Sequence, residues 1–364
     1  MSSIELESVD HAVDAIKSES CVIPTGSHSK NLLIPTGSSC CRLDCQRITG
    51  IIDYEPTEFT FTAKSGTRIS EIQQTLEANG QYLPFDPPFR DNASTLGGSI
   101  AAGINGPSSL RFGGARDFIL RIQFLDGSGA LTTAGVKVVK NAAGFDLAKF
   151  MVGSYGRFGL LTELTLKVFP QPEMYATLIF EGSIQQHVES IKKLLLVPLE
   201  IDAIDIFNSQ LLIRFGGKEK TLETARQRIE KILGQTPYNY RTGPSDEERE
   251  VWNTANNFDW HNSDQTILLK VPCQINDIAQ LARQGIADGL DFRVSIGGQV
   301  VYFSVTPAAH PSLLKWLHEN DFPAVHLRGP VSFSFPAIPF GGISPLVKKA
   351  LDPDSKFLSL DLQS

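Results

Sequence analysis

The sequence predicts an α+β protein of two domains, and three observations lead to that prediction. The chain has 364 residues, which is long enough for two domains of ordinary size. Short β-strand signals and glycine-rich turns dominate the part before Pro170. After Pro172, strand and helix signals alternate. We therefore expect domains over residues 1–170 and 171–330, followed by a Pro- and Gly-rich tail over 331–364.

The first expected domain contains strands and a helix joined by tight turns. Residues 60–64 alternate polar and apolar side chains, as a half-buried strand does. Residues 68–79 carry apolar side chains at near-helical spacing and end at an Asn-Gly pair. Residues 118–125 and 130–136 predict two strands, joined by a hairpin turn at Asp126–Gly129.

The second expected domain alternates strands and helices. The predicted elements are strand 174–180, helix 184–196, strand 203–215, helix 218–233, helix 246–257, strand 266–271, helix 276–288, strand 299–305, helix 311–319 and strand 324–328. A short helix over 345–351 follows in the tail. The alternation favours an α+β sandwich, for which ferredoxin-like units are one building plan. The sequence shows no clear internal repeat.

The composition excludes several classes of protein. The formal net charge is −7 and no basic stripe stands out, which argues against a nucleic-acid partner. The N-terminus lacks the charged and apolar regions of a signal peptide, and no run approaches the ~18 apolar residues of a transmembrane helix. We therefore expect a cytoplasmic chain, with peripheral membrane attachment through a partner left open.

The five cysteines are expected to be reduced thiols. An odd number of cysteines without an export signal argues against a disulfide framework. Cys40, Cys41 and Cys45 lie close together, but the C-x-x-C spacing is missing and no fourth ligand is nearby. A structural role is favoured over an iron–sulfur cluster, and no metal site is predicted.

Four glycine-rich clusters in the first half of the chain indicate a large anionic cofactor. They are Pro24–Lys30, Thr95–Gly103, Phe112–Asp117 and Gly153–Glu163. Glycine permits close backbone approach and positive φ, and successive bare N–H groups form concave anion sites. Each cluster alone is typical of a tight turn, so the prediction depends on their combination and on the flanking residues.

Common nucleotide-binding and hydrolase motifs are missing. Gly127–Gly129 is the nearest approach to a Rossmann G-x-G-x-x-G, but it lies in a predicted hairpin and lacks the third glycine. Gly216–Lys218 is followed by Glu219 instead of the Ser or Thr of a Walker A motif. Neither G-x-S-x-G nor H-E-x-x-H occurs. Nicotinamide, ATP and metallohydrolase functions therefore lose support.

Several segments resemble the vanillyl-alcohol-oxidase/PCMH-type FAD-binding fold. Residues 23–30, Ile-Pro-Thr-Gly-Ser-His-Ser-Lys, resemble its pyrophosphate loop. Leu83–Pro88 and Ser94–Gly98 resemble its second cofactor segment, while 140–147 and 153–163 resemble its third. The resemblance implies a two-subdomain, PCMH-type FAD-binding domain followed by an α+β, ferredoxin-like cap domain.

More narrowly, the chain resembles the E-subunit family of bacterial glycolate oxidases. The length, the LPFDPP and VKNAAGFDL stretches and the region of Trp252 carry this likeness, which is dense over 25–170 and sparse beyond. Residues 348–357 resemble the closing helix and D-P-x-x-x-F turn of these flavoproteins. The resemblance therefore implies that the tail, residues 331–364, returns to the FAD domain.

The resemblance implies FAD contacts spread over the glycine clusters. N–H groups and hydroxyls of Thr25–Ser29 would face the pyrophosphate, with Lys30 as a nearby cation. Asp146 is open between a cofactor contact and a helix cap. The full set of expected cofactor-binding residues is Thr25, Gly26, Ser27, His28, Ser29, Lys30, Pro84, Thr95, Leu96, Gly97, Gly98, Ser99, Gly103, Gly113, Asp146, Gly156, Leu160 and Leu161.

The first loop departs from the pattern of its relatives. Related loops carry an Arg and several glycines where this chain has Thr25, Ser27 and His28. Some members of the superfamily tether FAD through a histidine in this loop, but the register of His28 is offset from that position. Noncovalent FAD is therefore the expected state.

The sequence leaves the catalytic residues unknown. Oxidation of a 2-hydroxy acid on flavin needs a cation for the carboxylate and a base for the hydroxyl proton. His326 and Arg328 lie together on a predicted strand and are candidates, although a core-edge His beside a solvated Arg is the more ordinary interpretation. None of the seven histidines lies in the His-rich motif of the catalytic D subunit.

The resemblance implies an FAD-dependent oxidoreductase that is the FAD-carrying subunit of a glycolate oxidase complex. It implies a second, D-type flavoprotein subunit and an iron–sulfur, F-type subunit as partners, and a small 2-hydroxy acid as substrate. Two alternatives stay open. One is a stand-alone, D-lactate-type dehydrogenase, in which His326 and Arg328 would act. The other is a non-catalytic assembly subunit with a vestigial cofactor fold.

Overall fold

The computed structural model describes residues 2–31, 40–89, 93–136, 146–243, 246–262, 264–330 and 344–358. The chain divides into two compact units. The first unit comprises residues 1–105, 114–171 and 332–364, and the second comprises 106–113 and 172–331. Of the sequence segments expected to bind FAD, 140–145 lies outside the described residues.

The strands, in chain order, are β1 Ser3–Glu5, β2 Val22–Thr25, β3 Cys41–Asp44, β4 Ile51–Glu55, β5 Thr60–Lys64, β6 Gln81–Tyr82, β7 Ile119–Leu125, β8 Leu131–Gly135, β9 Leu160–Lys167, β10 Phe169–Pro170, β11 Met174–Glu181, β12 Ala203–Phe207, β13 Gln210–Gly217, β14 Asn239–Gly243, β15 Ile267–Pro272, β16 Asp291–Ser295, β17 Val300–Val305 and β18 Val325–Arg328. The helices are α1 Val9–Ser18, α2 Ile69–Glu77, α3 Leu96–Ala102, α4 Ser109–Phe112, α5 Ala115–Phe118, α6 Leu147–Phe150, α7 Ile184–Leu195, α8 Glu219–Leu233, α9 Asp246–Asn257, α10 Ile278–Ala287, α11 His310–Glu319 and α12 Ser344–Leu351.

Within its described residues, the first unit contains three sheets. Strands β1-β3-β2 form a parallel sheet, β4-β5-β9-β7-β8 an antiparallel one, and β6 pairs with β10. Helix α1 presents Ala12, Ala15 and Ile16 at helical spacing, and these side chains are buried in a core with Leu43 and Phe357. The core therefore combines the start of the chain with its last described residues.

Asp352 fixes the end of the chain to the first unit. Its buried carboxylate accepts hydrogen bonds from the backbone N–H groups of Lys356 (2.7 Å) and Phe357 (2.8 Å), and from Lys348 Nζ (2.6 Å). Phe357 then forms a parallel bridge with Val22 of β2. This is the Asp-Pro segment that the sequence analysis related to a closing turn.

The second unit has one eight-stranded sheet of order β14-β11-β13-β12-β16-β17-β15-β18. The halves β11-α7-β12-β13-α8-β14 and β15-α10-β16-β17-α11-β18 each have ferredoxin-like βαββαβ connectivity, and β12 pairs with β16 to join them. The structure thus contains a repeat that the sequence does not show. Because core positions accept many different apolar side chains, two halves can share a fold without a recognisable sequence repeat.

Two parts of the second unit differ from the sequence prediction. The single strand expected over 203–215 is a hairpin, because Asn208 and Ser209 adopt positive φ (49° and 60°) between β12 and β13. Strands β14 and β16 were not predicted. Their sequences, Asn-Tyr-Arg-Thr-Gly and Asp-Phe-Arg-Val-Ser, carry few apolar residues.

The two faces of this sheet differ in polarity. Cross-strand partners lie on the same face. One face holds buried Ile204, Ile213 and Val301, and helices α7, α8 and α10 pack against it. We call the other the polar face; it carries Thr177, Asp205, Arg214, Arg293, Tyr302 and Lys270.

Helix α9 covers one end of the polar face. Glu248 accepts a two-point ion pair from Arg214 (2.9 and 3.0 Å) and a hydrogen bond from Thr177 Oγ1 (2.8 Å). Trp252 Nε1 donates to the same Thr177 hydroxyl at 2.9 Å. Buried charges on this face are therefore paired where α9 lies over them.

Cys21 and Cys40 form a disulfide, so the expectation of five reduced thiols is wrong for this pair. Each cysteine directly precedes one of two paired parallel strands, β2 and β3, which brings the two Cα atoms to 4.5 Å. Cys41, Cys45 and Cys273 are free thiols. Sequence spacing alone could not show that the starts of β2 and β3 lie side by side.

Within the described ranges, no helix is both long enough and apolar enough to cross a membrane. In the same residues, no group of three or more His, Cys, Asp and Glu side chains is placed to hold a metal ion.

Candidate functional site

The first unit contains a cleft that is lined by residues from separate parts of the chain. The lining residues are Pro24, Thr25, Gly26, Ser27, His28, Ser29, Lys30, Cys45, Ser65, Ser94, Thr95, Gly97, Gly98, Ala101, Ala102, Tyr155, Gly156, Gly159 and Leu161.

The loop after β2 exposes its backbone donors to the cleft. His28 adopts φ of 57°, which turns the loop sharply. Among the residues that the structure describes, the N–H groups of Gly26, Ser27, His28 and Ser29 have no acceptor within the chain. Consecutive free N–H groups at a concave surface form a site for an anion such as a phosphate.

Lys30 adds a cation to this loop. Its Nζ donates to the hydroxyls of Ser29 (3.1 Å) and Ser94 (3.2 Å) and lies 5.2 Å from the centre of the Phe89 ring. These contacts are all with uncharged groups, and burial lowers the pKa of Lys30 to about 8. A buried cation held only by neutral groups favours an anionic ligand in the cleft.

Helix α3 brings its first turn against this loop. Thr95 is its N-cap, and the Thr95 hydroxyl accepts from Gly98 N at 3.2 Å. Gly97 N donates to Ser65 O at 2.7 Å, so the helix start lies at the end of β5. A Cβ on Gly26 would lie 2.5 Å from Thr95 Oγ1, and one on Gly97 would lie 2.7 Å from Ser65 Cβ. Because they have no side chain, Gly26 can lie against Thr95 and Gly97 can lie against Ser65.

A third segment completes the lining. Tyr155 N donates to Ala101 O at 2.9 Å, which fixes the turn before β9 to helix α3. Tyr155 and Gly156 both adopt positive φ (54° and 73°). A Cβ on Gly156 would lie 3.2 Å from the Pro24 ring, so the turn also lies against the strand that precedes the first loop.

The structure brings together most of the residues that the sequence singled out. Those that line the cleft are Thr25, Gly26, Ser27, His28, Ser29, Lys30, Thr95, Gly97, Gly98, Gly156 and Leu161. Burial lowers the pKa of His28, and the nearby Arg42 lowers it further. The His28 side chain is therefore mainly neutral at pH 7.

Other expected cofactor residues lie outside the lining. Leu96 and Leu160 are fully buried in the core, and Pro84 is buried as well. Gly103 ends α3 with φ of 62°, and Gly113 belongs to the second unit. Asp146 has the capping role that the sequence left open, since its carboxylate accepts from Lys149 N at 3.1 Å.

Ser99 supports the cleft from behind. Its hydroxyl lies 2.9 Å from the Ser94 hydroxyl, and Ser94 in turn accepts from Lys30 Nζ. Both serines are buried. Ser99 therefore helps to orient the cation that lines the cleft.

Several lining residues were not predicted from the sequence. Cys45 and Ser65 follow strands β3 and β5, and only the packing of those strands brings them to the cleft. Burial raises the pKa of Cys45 to about 12, so this thiol is protonated. Tyr155 and Gly159 lie inside a glycine cluster that the sequence had marked, and the cluster was the signal that could have found them.

The suggested pair His326 and Arg328 is split by a β-bulge. Leu269 pairs with His326 and its neighbour Leu268 pairs with Arg328, so Leu327 is an extra residue in β18. The bulge places His326 on the apolar face and Arg328 on the polar face. His326 Nε2 lies 2.8 Å from Nε2 of His310, at the start of α11. The two candidates therefore do not act on one ligand from one face.

One known family matches the first part of the chain. Residues 5–135 match a family described as an FAD binding domain. This range includes the loop at Gly26–Lys30 and the start of helix α3, and it ends before the Tyr155–Gly156 turn. Two of the three lining segments therefore lie in the matched range.

Curated relatives include subunits of glycolate oxidase and D-lactate dehydrogenases. The chain is 38% identical over 224 residues to glycolate oxidase subunit GlcE of Escherichia coli, covering 61% of this chain and 63% of that protein. It is 27% identical over 203 residues to glycolate oxidase subunit GlcD of Bacillus subtilis (50% and 43%) and 26% over 177 residues to D-lactate dehydrogenase of Anaerostipes hadrus (48% and 37%). The chain thus spans less than two thirds of the length of each of these relatives.

Solved structures show the same fold at low identity. p-Cresol methylhydroxylase with substrate bound superposes with a TM-score of 0.74 at 13% identity, covering 97% of this chain and 86% of that chain. Alkyldihydroxyacetonephosphate synthase superposes with a TM-score of 0.73 at 15% identity, covering 99% and 76%. The likeness extends over both units and is a likeness of fold alone.

Proposed function

Because the chain contains an FAD-binding domain and has the PCMH-type fold, we propose that it is an FAD-dependent oxidoreductase of small 2-hydroxy acids. The free N–H groups of the loop Gly26–Ser29 beside the Lys30 cation carry the proposal most directly. FAD brings a diphosphate to its site, and this loop offers that group donors and one positive charge.

This chain's residues divide the work of holding the cofactor. Gly26–Ser29 would bind the diphosphate by N–H groups, and Lys30 would neutralise part of its charge. The start of α3, at Thr95–Gly98, and the turn at Tyr155–Gly156 would enclose it from the other sides. Bound FAD would supply hydride and electron transfer, which no side chain can supply.

We infer that the finer role is that of an FAD-carrying subunit in a glycolate oxidase complex. The 38% identity to GlcE of Escherichia coli supports this, and the names of GlcE and GlcD as subunits of glycolate oxidase support a complex of more than one chain. The proposed partners are a D-type flavoprotein subunit and an iron–sulfur subunit. The proposed location is the cytoplasm, with contact to a membrane through partners.

An absorbance spectrum of the purified chain, before and after anaerobic addition of glycolate, tests this proposal. A flavin spectrum that does not bleach alone, but bleaches when the partner subunits are added, is the expected result. Bleaching by the chain alone would instead support the stand-alone D-lactate-type dehydrogenase, which the relative from Anaerostipes hadrus suggests. A folded, colourless chain that binds no added FAD but still binds its partners would establish a non-catalytic assembly subunit.

A further inference from the structure

Part of the polar face in the second unit is a patch of cationic and polar side chains that extends from Arg293, beside Trp252 of α9, to β18. Its residues form two rows across β16, β17, β15 and β18, in that order. The first row consists of Asp291, Ser304, Leu268 and Arg328. The second row consists of Arg293, Tyr302, Lys270 and Val325. Neighbouring strands are about 4.8 Å apart and alternate residues about 7 Å apart. Lys270 and Arg328, on neighbouring strands, are therefore close enough for both side chains to contact one small ligand.

Two cations of the patch have no counter-ion. Over the described ranges, the side chains of Lys270 and Arg328 form neither a hydrogen bond nor an ion pair. Both side chains are half-buried, and burial lowers the pKa of Lys270. Elsewhere on the same face, Arg214 and Arg293 are paired with Glu248 and Asp205. Desolvated cations without an anion are costly, so these two positions favour an anionic ligand.

His261 adds an oriented hydrogen-bond acceptor. Thr266 Oγ1 donates to Asn262 O (2.9 Å), and Ser304 Oγ donates to Thr266 Oγ1 (2.8 Å). Both hydroxyl protons are thus engaged, so the contacts of His261 Nδ1 with Thr266 Oγ1 (3.0 Å) and Ser304 Oγ (3.1 Å) require a proton on Nδ1. In a neutral ring, Nε2 is then a bare acceptor.

The other side of the His261 ring is unsatisfied. The residue is nine-tenths buried, and its Nε2 has no partner among the described residues. Burial, with Arg328 nearby, lowers the pKa of His261 to about 4, so the ring is neutral at pH 7. A buried acceptor of this kind requires a donor, for which a hydroxyl group of a ligand is suited.

We propose that this patch binds a small hydroxy-carboxylate, with Lys270 and Arg328 holding the carboxylate and His261 Nε2 accepting the hydroxyl proton in a hydrogen bond. The class of ligand follows from two unpaired cations beside one oriented acceptor. Its identification as a 2-hydroxy acid such as glycolate rests on the proposed function. The sequence offered Arg328 and His326 as candidates for contact with a 2-hydroxy acid. The proposed site keeps Arg328 and has His261 in place of His326.

Ligand binding by the whole chain tests the proposal without any turnover. Calorimetry would compare glycolate, acetate and ethylene glycol, with any bound flavin reduced beforehand under anaerobic conditions so that glycolate is not oxidised. Lys270→Met and Arg328→Met each remove one cation. Because both are made, the test can still be carried out if one of them folds poorly. His261→Asn keeps a donor near the Nδ1 position and removes the Nε2 acceptor. Lys315→Met and His318→Asn, at exposed positions of α11, are the matched controls.

We expect glycolate to bind more tightly than acetate, and ethylene glycol not to bind. Lys270→Met or Arg328→Met should weaken both acids roughly tenfold or more. His261→Asn should lower the affinity for glycolate to that for acetate and leave acetate unchanged, while the controls bind as the wild type does. Equal binding of both acids by the wild type, or wild-type affinities in folded variants, would overturn the proposal.

The outcome is separable from that of the proposed function. If glycolate bleaches the flavin in the presence of the partner subunits but the variants bind glycolate normally, the site is wrong and the function stands. If no 2-hydroxy acid bleaches the flavin even with the partner subunits added, but the binding pattern holds, the site stands and the function is wrong.

Discussion

The positive charge of Lys30 should contribute directly to the affinity for FAD. Replacing it with Met removes a charge-assisted hydrogen bond, worth about 1.5–3 kcal/mol, so the dissociation constant of FAD should rise roughly 10- to 100-fold. Lys30→Arg keeps the charge and should keep most of the affinity. Quenching of flavin fluorescence measures both, and equal affinity of Lys30→Met and wild type would contradict this role.

The same residue predicts a pH dependence of FAD binding. The pKa of Lys30 is lowered to about 8 in the cleft, and a bound phosphate favours the charged form, so FAD affinity should fall as the pH rises above 8. Other lining groups titrate elsewhere: the pKa of His28 is lowered, that of Tyr155 is raised, and that of Cys45 is raised to about 12. Lys30→Arg should bind FAD equally at pH 7 and pH 9. If the FAD affinity of this variant falls between the two pH values as much as that of the wild type, the pH dependence belongs to another group.

Gly26 should tolerate no side chain. An added Cβ would lie 2.5 Å from Thr95 Oγ1, so Gly26→Ala must displace either the first loop or the Thr95 hydroxyl that caps helix α3. We expect a loss of FAD affinity of at least tenfold, with a small change in melting temperature, because the contact lies at the cleft and not in the core. Gly217→Ala, at the end of β13 where the nearest neighbour would lie 3.3 Å away, is the control for a glycine of ordinary φ.

At the scale of elements, the disulfide should stabilise the first unit. Cys21 and Cys40 are 19 residues apart, and closing a loop of that size is worth about 3 kcal/mol in the chain-entropy model. Dithiothreitol should lower the free energy of unfolding of the wild type and leave a Cys21→Ser/Cys40→Ser double variant unchanged. Thiol titration of the denatured, unreduced protein should find three free thiols, and five would show that the pair is reduced.

The contact between α11 and β18 should make the second unit sensitive to acid. Burial lowers the pKa values of both His310 and His326, the latter to about 4. The unfolded histidines gain protons near pH 6.5 and the folded ones do not, so stability is complete above pH 6.5 and is lost as the pH falls toward 4. For His326, the expected loss in the free energy of unfolding is about 2 kcal/mol between pH 7 and pH 5. Denaturant unfolding at the two pH values measures it, and His326→Gln should reduce the difference.

Local patterns were sufficient for elements with a clear period. Strand 60–64 and helix 246–257 were predicted with the bounds that the structure has, because alternation and helical spacing are local properties. The hairpin at Asn208–Ser209 was missed because its turn lacks the glycine of the usual Asn-Gly hairpin signal. The bulge at Leu327, which separates His326 from Arg328, depends on pairing with β15 and leaves no local mark in β18.

At the scale of the whole molecule, the sequence found the cleft by its glycines and missed what tertiary packing adds. The loop Gly26–Lys30 and the start of α3 were found because positive φ, close approach and free N–H groups require particular residues. Cys45 and Ser65 are placed by the pairing of whole strands. The patch around Lys270 and His261 was missed because it joins β15, β17 and β18 to residues just after α9.

The central claim is that the cleft of the first unit binds FAD through the loop Gly26–Lys30. The most direct measurement is a titration of the purified full chain with FAD, followed by flavin fluorescence, alongside Gly26→Ala and Gly217→Ala. We expect stoichiometric, saturable binding by the wild type and Gly217→Ala, and binding at least tenfold weaker by Gly26→Ala. A folded wild-type chain that carries no flavin and binds none, or a Gly26→Ala variant with wild-type affinity, would contradict the account.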